Sequence, residues 1–167
     1  MATSNNVAYT AAINPPSATT KLELQHIWPL LQRKIRRAQD FVGAAITATE
    51  VLEVKTTDDG HRVTSREVVF REGNRRVHED CVEYEPMRVE FRQPDGSRIQ
   101  NIVSEGAGGE LYMTYAFEWR HPELAGDAAA LAEKLAKEKK MAQVAVEETL
   151  KAMRAFVAAG TWEEDAE

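Results

Sequence analysis

GDAAALAEKLAKEKKMAQVAVEETLKAMRAFVAA, residues 126–159, is the stretch that decides the fold. Leu131, Leu135, Ala142, Val146, Thr149, Leu150, Met153, Phe156 and Val157 fall on one face of a helical period, and Glu133, Lys137, Lys140, Glu147 and Lys151 fall on the other. At ~1.5 Å per residue such a helix runs roughly 50 Å, more than a sheet edge needs. It follows a series of short strand-and-turn units from about Val42 to Arg120. A curved antiparallel sheet wrapped around one long helix leaves room between them, and the small residues at mid-stripe, Ala142, Val146 and Thr149, widen that room.

Working back from the helix, the strands separate at their turn signals. Glu110–Arg120 is the seventh strand, preceded by the Gly106–Gly109 break, and Arg98–Glu105 is the sixth, preceded by Pro94-Asp95-Gly96-Ser97. Met87–Gln93 is the fifth, set off by Glu85-Pro86 from a fourth ending at Tyr84. Arg62–Arg71 is the third and Ala44–Lys55 the second, joined across Asp59-Gly60. Upstream, Val7, Tyr9, Ala11 and Ile13 alternate as a first strand that stops at Asn14-Pro15-Pro16. Leu24, Ile27, Trp28, Leu31 and Ile35 then recur at helical spacing, with Pro29 expected to kink or split the segment into a short helical pair ending near Phe41. The order is strand, two short helices, six strands, long helix: an α+β chain with a seven-stranded antiparallel sheet.

Length and composition narrow the function. One hundred and sixty-seven residues suit a single domain, placed at 7–160, with a flexible 1–6 and an acidic flexible tail at 161–167. No apolar run approaches the ~20 residues of a membrane span, and residues 1–6 lack a secretory signal, so a cytoplasmic protein without membrane insertion is expected. The net charge of -6 disfavours nucleic acid, and the basic cluster Arg33, Lys34, Arg36, Arg37 reads as a solvated helix face. Cys81 is the only cysteine and reads as a buried thiol; with the four histidines scattered, no metal and no cofactor are expected. The Gly106–Gly109 run lacks a phosphate-loop ending, and no nucleophile elbow is present.

Assuming two-residue hairpin loops from the third strand on, one sheet face carries Val63, Ser65, Glu67 and Val69; His78, Asp80, Val82 and Tyr84; Met87, Val89 and Phe91; Gln100, Ile102 and Ser104; and Leu111, Met113, Tyr115, Phe117 and Trp119. The large odd residues of the last strand direct this face to the long helix. Glu67, His78 and Asp80 would then be buried charges able to exchange protons with a ligand carbonyl or enol. A shifted register would instead turn Arg66, Glu79 and Glu83 inward. Tyr84, Gln100 and Tyr115 offer hydrogen-bonding tips; Trp28 from the first helix, Val69, Val82, Val89, Phe91, Ile102, Met113 and Phe117 from the sheet, and Ala142, Val146, Thr149 and Met153 from the long helix complete the expected wall.

LYMTYAFEWRHPE at 111–123, PDGSRIQNIVSEG at 94–106 and REVVF at 66–70 resemble the fungal AtaL-like branch of the START and birch-pollen-allergen superfamily, SRPBCC, across about Val7 to Trp162. The resemblance implies a helix-grip fold with a hydrophobic pocket between sheet and long helix, often serving fungal secondary-metabolite pathways. Three functions follow in order: a cofactor-free cyclase or isomerase acting by confinement and acid-base groups, a non-catalytic lipid or metabolite carrier, and a protein-interaction module.

Overall fold

A computed structural model of the protein describes residues 3–164. Strands β1 (Ser4–Ala12), β2 (Ile46–Thr56), β3 (Arg62–Phe70), β4 (Arg76–Tyr84), β5 (Arg88–Arg92), β6 (Arg98–Glu105) and β7 (Leu111–Arg120) form one sheet in the order β1-β7-β6-β5-β4-β3-β2. Every neighbouring pair is antiparallel. Helices α1 (Leu24–Arg36) and α2 (Ala128–Ala159) pack on the same inner face, their apolar residues joining Val89, Phe91, Val103, Met113 and Tyr115 in one core. This is the expected helix-grip architecture.

Three local expectations are corrected. β1 begins at Ser4, with Asn5 buried, so residues 4–6 are strand, and the Thr3 carbonyl accepts from the His121 amide at 2.8 Å; Met1 and Ala2 of the expected flexible lead lie outside the described residues. Pro29 does not split α1, which is one continuous helix followed by a 3-10 turn at Ala38–Asp40. The missing Pro29 amide would have bonded a carbonyl of the first turn, and burial of Ile27, Trp28, Leu30, Leu31 and Ile35 holds the helix across that gap. The basic cluster is no solvated face either: Arg33 and Lys34 are buried. At the other end, Trp162 stacks edge-on against His26 at 4.9 Å between ring centroids, while residues 165–167 of the acidic tail lie outside the described residues.

α2 is fixed at both ends and near its middle. The Asp127 carboxylate accepts from the Ala130 amide at 2.9 Å, and Gly160 closes the helix in the left-handed region at φ 72°. Glu138, in the apolar stripe between Leu135 and Ala142, is buried; its oxygens accept from Asn5 Nδ2 at 2.6 Å and face His121 Nε2 at 2.6 Å. Asp127→Ala should lower stability by about 1 kcal/mol in urea unfolding, the usual value of a lost helix N-cap. A loss below 0.3 kcal/mol, taken as roughly the error of such a measurement, would show that helix packing alone sets this terminus.

The strand phase differs from the two-residue-loop expectation at three hairpins. Tyr84 pairs with Arg88, Arg92 with Arg98 and Glu105 with Leu111, leaving loops of three, five and five residues. Each odd loop turns the face over once. Counting back from β7, whose odd residues do face inward, β6 reverses, β5 reverses back to the expected face, and β3 and β4 reverse again. The inner face therefore carries Thr64, Arg66 and Val68, then Glu79, Cys81 and Glu83, then Val89 and Phe91, then Ile99, Asn101 and Val103. This is the shifted register in β3 and β4.

Candidate functional site

The expected acid-base trio does not enter the interior. Glu67, His78 and Asp80 lie on the outer face, where Arg76 pairs with Glu67, and Ser65 Oγ donates to Asp80 Oδ1 at 2.6 Å. His78 and Asp80, 43% and 42% exposed, face each other at 3.2 Å. The Ser65 hydrogen bond, with help from His78, holds the Asp80 carboxyl below its ordinary range, the signature of a solvated polar network. Val69, Val82, Tyr84, Gln100 and Ile102 share that outer face, with Arg88 stacked on Tyr84 at 4.2 Å and Gln100 donating to Glu90 at 3.2 Å. By contrast Trp28, Val89, Phe91, Met113, Tyr115, Phe117, Ala142, Val146 and Met153 meet in the core, and Thr149 joins them by accepting from Tyr115 Oη at 2.9 Å.

Besides the Asn5–Glu138–His121 set at α2, a second group of buried polar side chains lies beneath the C-terminal half of α1. Ile27, Leu31 and Lys34 recur at i, i+4 and i+7, which turns Lys34 to the sheet along with the apolar stripe. Its ammonium donates to Asn101 Oδ1 at 2.7 Å and sits 4.4 Å from the centroid of the Tyr115 ring and 5.4 Å from that of Phe91. Among the described residues it has no carboxylate partner. Burial, then the neighbouring Arg66 guanidinium, bring the Lys34 pKa down to about 7 against the weaker opposing pull of Glu79.

Arg66 holds this end of α1. Its Nη1 donates to the carbonyls of Lys34 at 2.9 Å and Ile35 at 2.7 Å, and its Nε and Nη2 donate to Glu79 Oε2 at 2.9 and 2.6 Å. Gln93 donates to the other Glu79 oxygen at 3.1 Å. Glu79 and Arg66 thus satisfy one another and the helix end, while Lys34 is left with a single neutral acceptor. Cys81 lies beside them, fully buried, its thiol pushed up to about 12 by burial. It is a packed thiol, as expected, and no nucleophile.

Two buried donors find no acceptor among the described residues: Asn101 Nδ2, on a residue wholly shielded from solvent, and, on α1, Trp28 Nε1. An unpaired buried donor costs about 1–3 kcal/mol, so such groups mark a place where a partner oxygen belongs. An open cleft of about 670 Å³ begins at the N-terminal end of α1. Leu22, Leu24 and Leu111 line that cleft and also pack on the core. From Leu24 to Lys34 is about 15 Å of helix. The cleft has its mouth at Leu24 and Leu111, and the polar donors lie toward the other end of α1. The core between them is filled, with Leu31 1% exposed and Met113 0%.

No group of three or more His, Cys, Asp or Glu side chains among the described residues could hold a metal ion. No helix among them is long and apolar enough to cross a membrane.

Residues 7–160 match the family model of AtaL, described as acetylaranotin biosynthesis cluster protein L. No curated protein matches by sequence. Among solved structures, the di-domain ARO/CYC StfQ of the steffimycin biosynthetic pathway is similar with a TM-score of 0.62 at 8% identity, over 94% of this chain and 52% of that one. The di-domain ARO/CYC BexL of the BE-7585A biosynthetic pathway gives 0.58 at 13%, over 91% and 49%. A START superfamily protein from Mycobacterium smegmatis gives 0.53 at 12%, over 93% and 99%. The chain spans about half the length of the two di-domain proteins, and at these identities the likeness is one of fold.

Proposed function

The chain belongs to the AtaL family, and from that premise we propose that it takes a hydrophobic, oxygen-bearing secondary-metabolite intermediate into the interior between sheet and helices and acts there as a cofactor-independent cyclase or isomerase. The observation that carries this reading is the set of unmatched donors inside an apolar core: among the described residues, Lys34 has one neutral acceptor, and Asn101 Nδ2 and Trp28 Nε1 have none. An apolar body under Trp28 and Leu31 supplies binding; the donors supply orientation and a charge for a developing oxyanion. A titratable amine near neutrality can give and take a proton there, the role first expected of Glu67, His78 and Asp80. The ARO/CYC proteins with this fold lend the cyclase reading support by analogy. A fungal pathway and a cytoplasmic setting belong to the same proposal, with no nucleic-acid partner.

The carrier remains the second reading, because an apolar interior serves it without the proton exchange assigned here to Lys34. The neutral fluorophore N-phenyl-1-naphthylamine tests the interior itself. Saturable binding that weakens at least tenfold in Leu111→Trp, which plugs the mouth, supports the reading; binding indifferent to that substitution, or no binding, sinks it. Native mass spectrometry of freshly purified protein detects a co-purifying molecule, and chromatography with ultraviolet detection then separates enzyme from carrier. A molecule released after incubation with an altered retention time or absorption spectrum, at the same mass or with water lost, marks catalysis, and one released unchanged in both marks carriage.

A further inference from the structure

The two edges of the sheet are finished differently. β1 is closed by α2, which fastens to it along its length: Asn5 Nδ2 donates to Glu138 at 2.6 Å, Tyr9 Oη to Glu147 at 2.9 Å and, just past the strand's end, Arg154 Nη2 to the Ile13 carbonyl at 2.7 Å. β2 is the opposite edge. Among the described residues its cover ends at Thr49, whose hydroxyl accepts from the Ala38 amide at 3.0 Å and donates to Gln39 Oε1 at 2.7 Å. From Glu50 to Thr56 every residue is exposed, with Val51 at 40%, Leu52 at 52% and Val54 at 49%. A bare edge of this kind keeps a row of free amides and carbonyls, a template for one more strand.

Val51 and Val54 pair with Arg66 and Thr64 and so point to the inner side of the sheet, whereas Glu50, Glu53 and Lys55 pair with Glu67, Ser65 and Val63 and point to the outer side. Leu52 is the extra residue at the register shift between them. We propose that β2 pairs antiparallel with β2 of a second copy about a two-fold axis between Leu52 and Glu53, joining the two sheets into one. Glu50 of each copy then meets Lys55 of the other, Val51 meets Val54 and Thr49 meets Thr56, so opposite charges, apolar side chains and hydroxyls each fall on one side of the joint sheet. The two bulges lie together at the axis, and the ladder keeps step on both sides of it. A slip of one residue sets inner-facing residues against outer-facing ones. A slip of two sets Glu50 against Glu53 in one direction and Glu53 against Val54, on opposite faces, in the other. Charges and a bulge can also keep an edge from pairing. Here the charges differ in sign and fall opposite one another, so they fix a register, and among the described residues neither Glu50 nor Lys55 is held in an ion pair of its own chain. With β1 closed by α2, pairing ends at two copies.

Sedimentation velocity of the full chain over a hundredfold range of concentration, up to about 1 mM, tests this. The wild type should pass from monomer to dimer and go no further. Glu50→Lys sets lysine against lysine twice in the dimer, and Lys55→Glu sets glutamate against glutamate twice. Each should weaken association at least tenfold, and the double exchange Glu50→Lys with Lys55→Glu should restore it to within about threefold of the wild type, because the opposite charges meet again. Both side chains are exposed, so the exchanges leave the folded monomer intact, as circular dichroism checks. A monomer at every concentration, a dimer indifferent to both single exchanges, a double exchange no stronger than the singles, or assembly beyond two copies would overturn the proposal.

Discussion

Arg66→Met should lower the unfolding free energy by about 3–5 kcal/mol, the range for breaking a buried ion pair from one side. Both partners are sealed, Arg66 side chain 4% exposed and Glu79 3%, so the loss strands a carboxylate whose only other partner among the described residues is Gln93. It also removes two hydrogen bonds to the carbonyls of Lys34 and Ile35, the C-terminal groups of α1 that have no helical partner. Glu79→Met should cost less, since the guanidinium keeps those two carbonyl acceptors. The double replacement should recover most of the loss, because two apolar side chains of similar volume need no partners. Urea unfolding of the four proteins closes the cycle. If the double variant is as unstable as the sum of the singles, the pair acts through packing and the charge argument fails. The pair also matters for the site: Arg66 ties β3 to the helix that carries Lys34, so its loss should loosen that helix end.

The fold was legible from the period of residues 126–159 and the turn signals between the strands, since both are local properties of the chain. The faces of the strands were not. They depend on loop parity, and Glu85-Pro86 and Asp95-Gly96 read equally well as two-residue turns or as the centres of longer ones. Three odd loops leave β5 correct by cancellation and place Glu67, His78 and Asp80 outside. The alternative register contained the right β3 and β4 residues, Arg66, Glu79 and Glu83, without anything local to choose it. Lys34 was visible as the i+7 member of the stripe from Ile27, and Glu138 as a charge between Leu135 and Ala142. Each was masked by a pattern more often found on a surface: a run of basic residues, and a helix rich in Glu and Lys. Asn101 carried no signal at all, because its burial follows only from the β6 register.

Stability should rise between pH 7 and pH 9 by about 2 kcal/mol, and Lys34→Met should abolish the rise. Lys34 titrates near 7 in the folded chain, down from 10.5, so over this interval the unfolded chain holds a proton that the folded chain has released. Stability increases with pH wherever the unfolded state binds more protons, at up to about 1.4 kcal/mol per pH unit for one group. The penalty is complete below pH 7 and would vanish only above the unfolded value. From pH 9 upward Cys81 acts the other way: its thiol, ordinarily near 9.0, stays protonated to about 12 in the folded chain but ionises once unfolded. Tyr115, also raised by burial, adds to that fall, so stability should peak near pH 9. Thermal or urea unfolding across this range measures the effect, and a flat wild-type profile from pH 7 to 9 would show that Lys34 is not held against its charge. At pH 7 the same Lys34→Met variant should be more stable by about 1–4 kcal/mol, because relief of a buried unpaired charge outweighs the loss of one hydrogen bond to Asn101. That sign separates two roles for the residue. A lysine kept for the fold would make the variant weaker, whereas one kept for a ligand is a local cost the rest of the core carries, and its removal stabilises the protein while emptying the site of its proton acceptor.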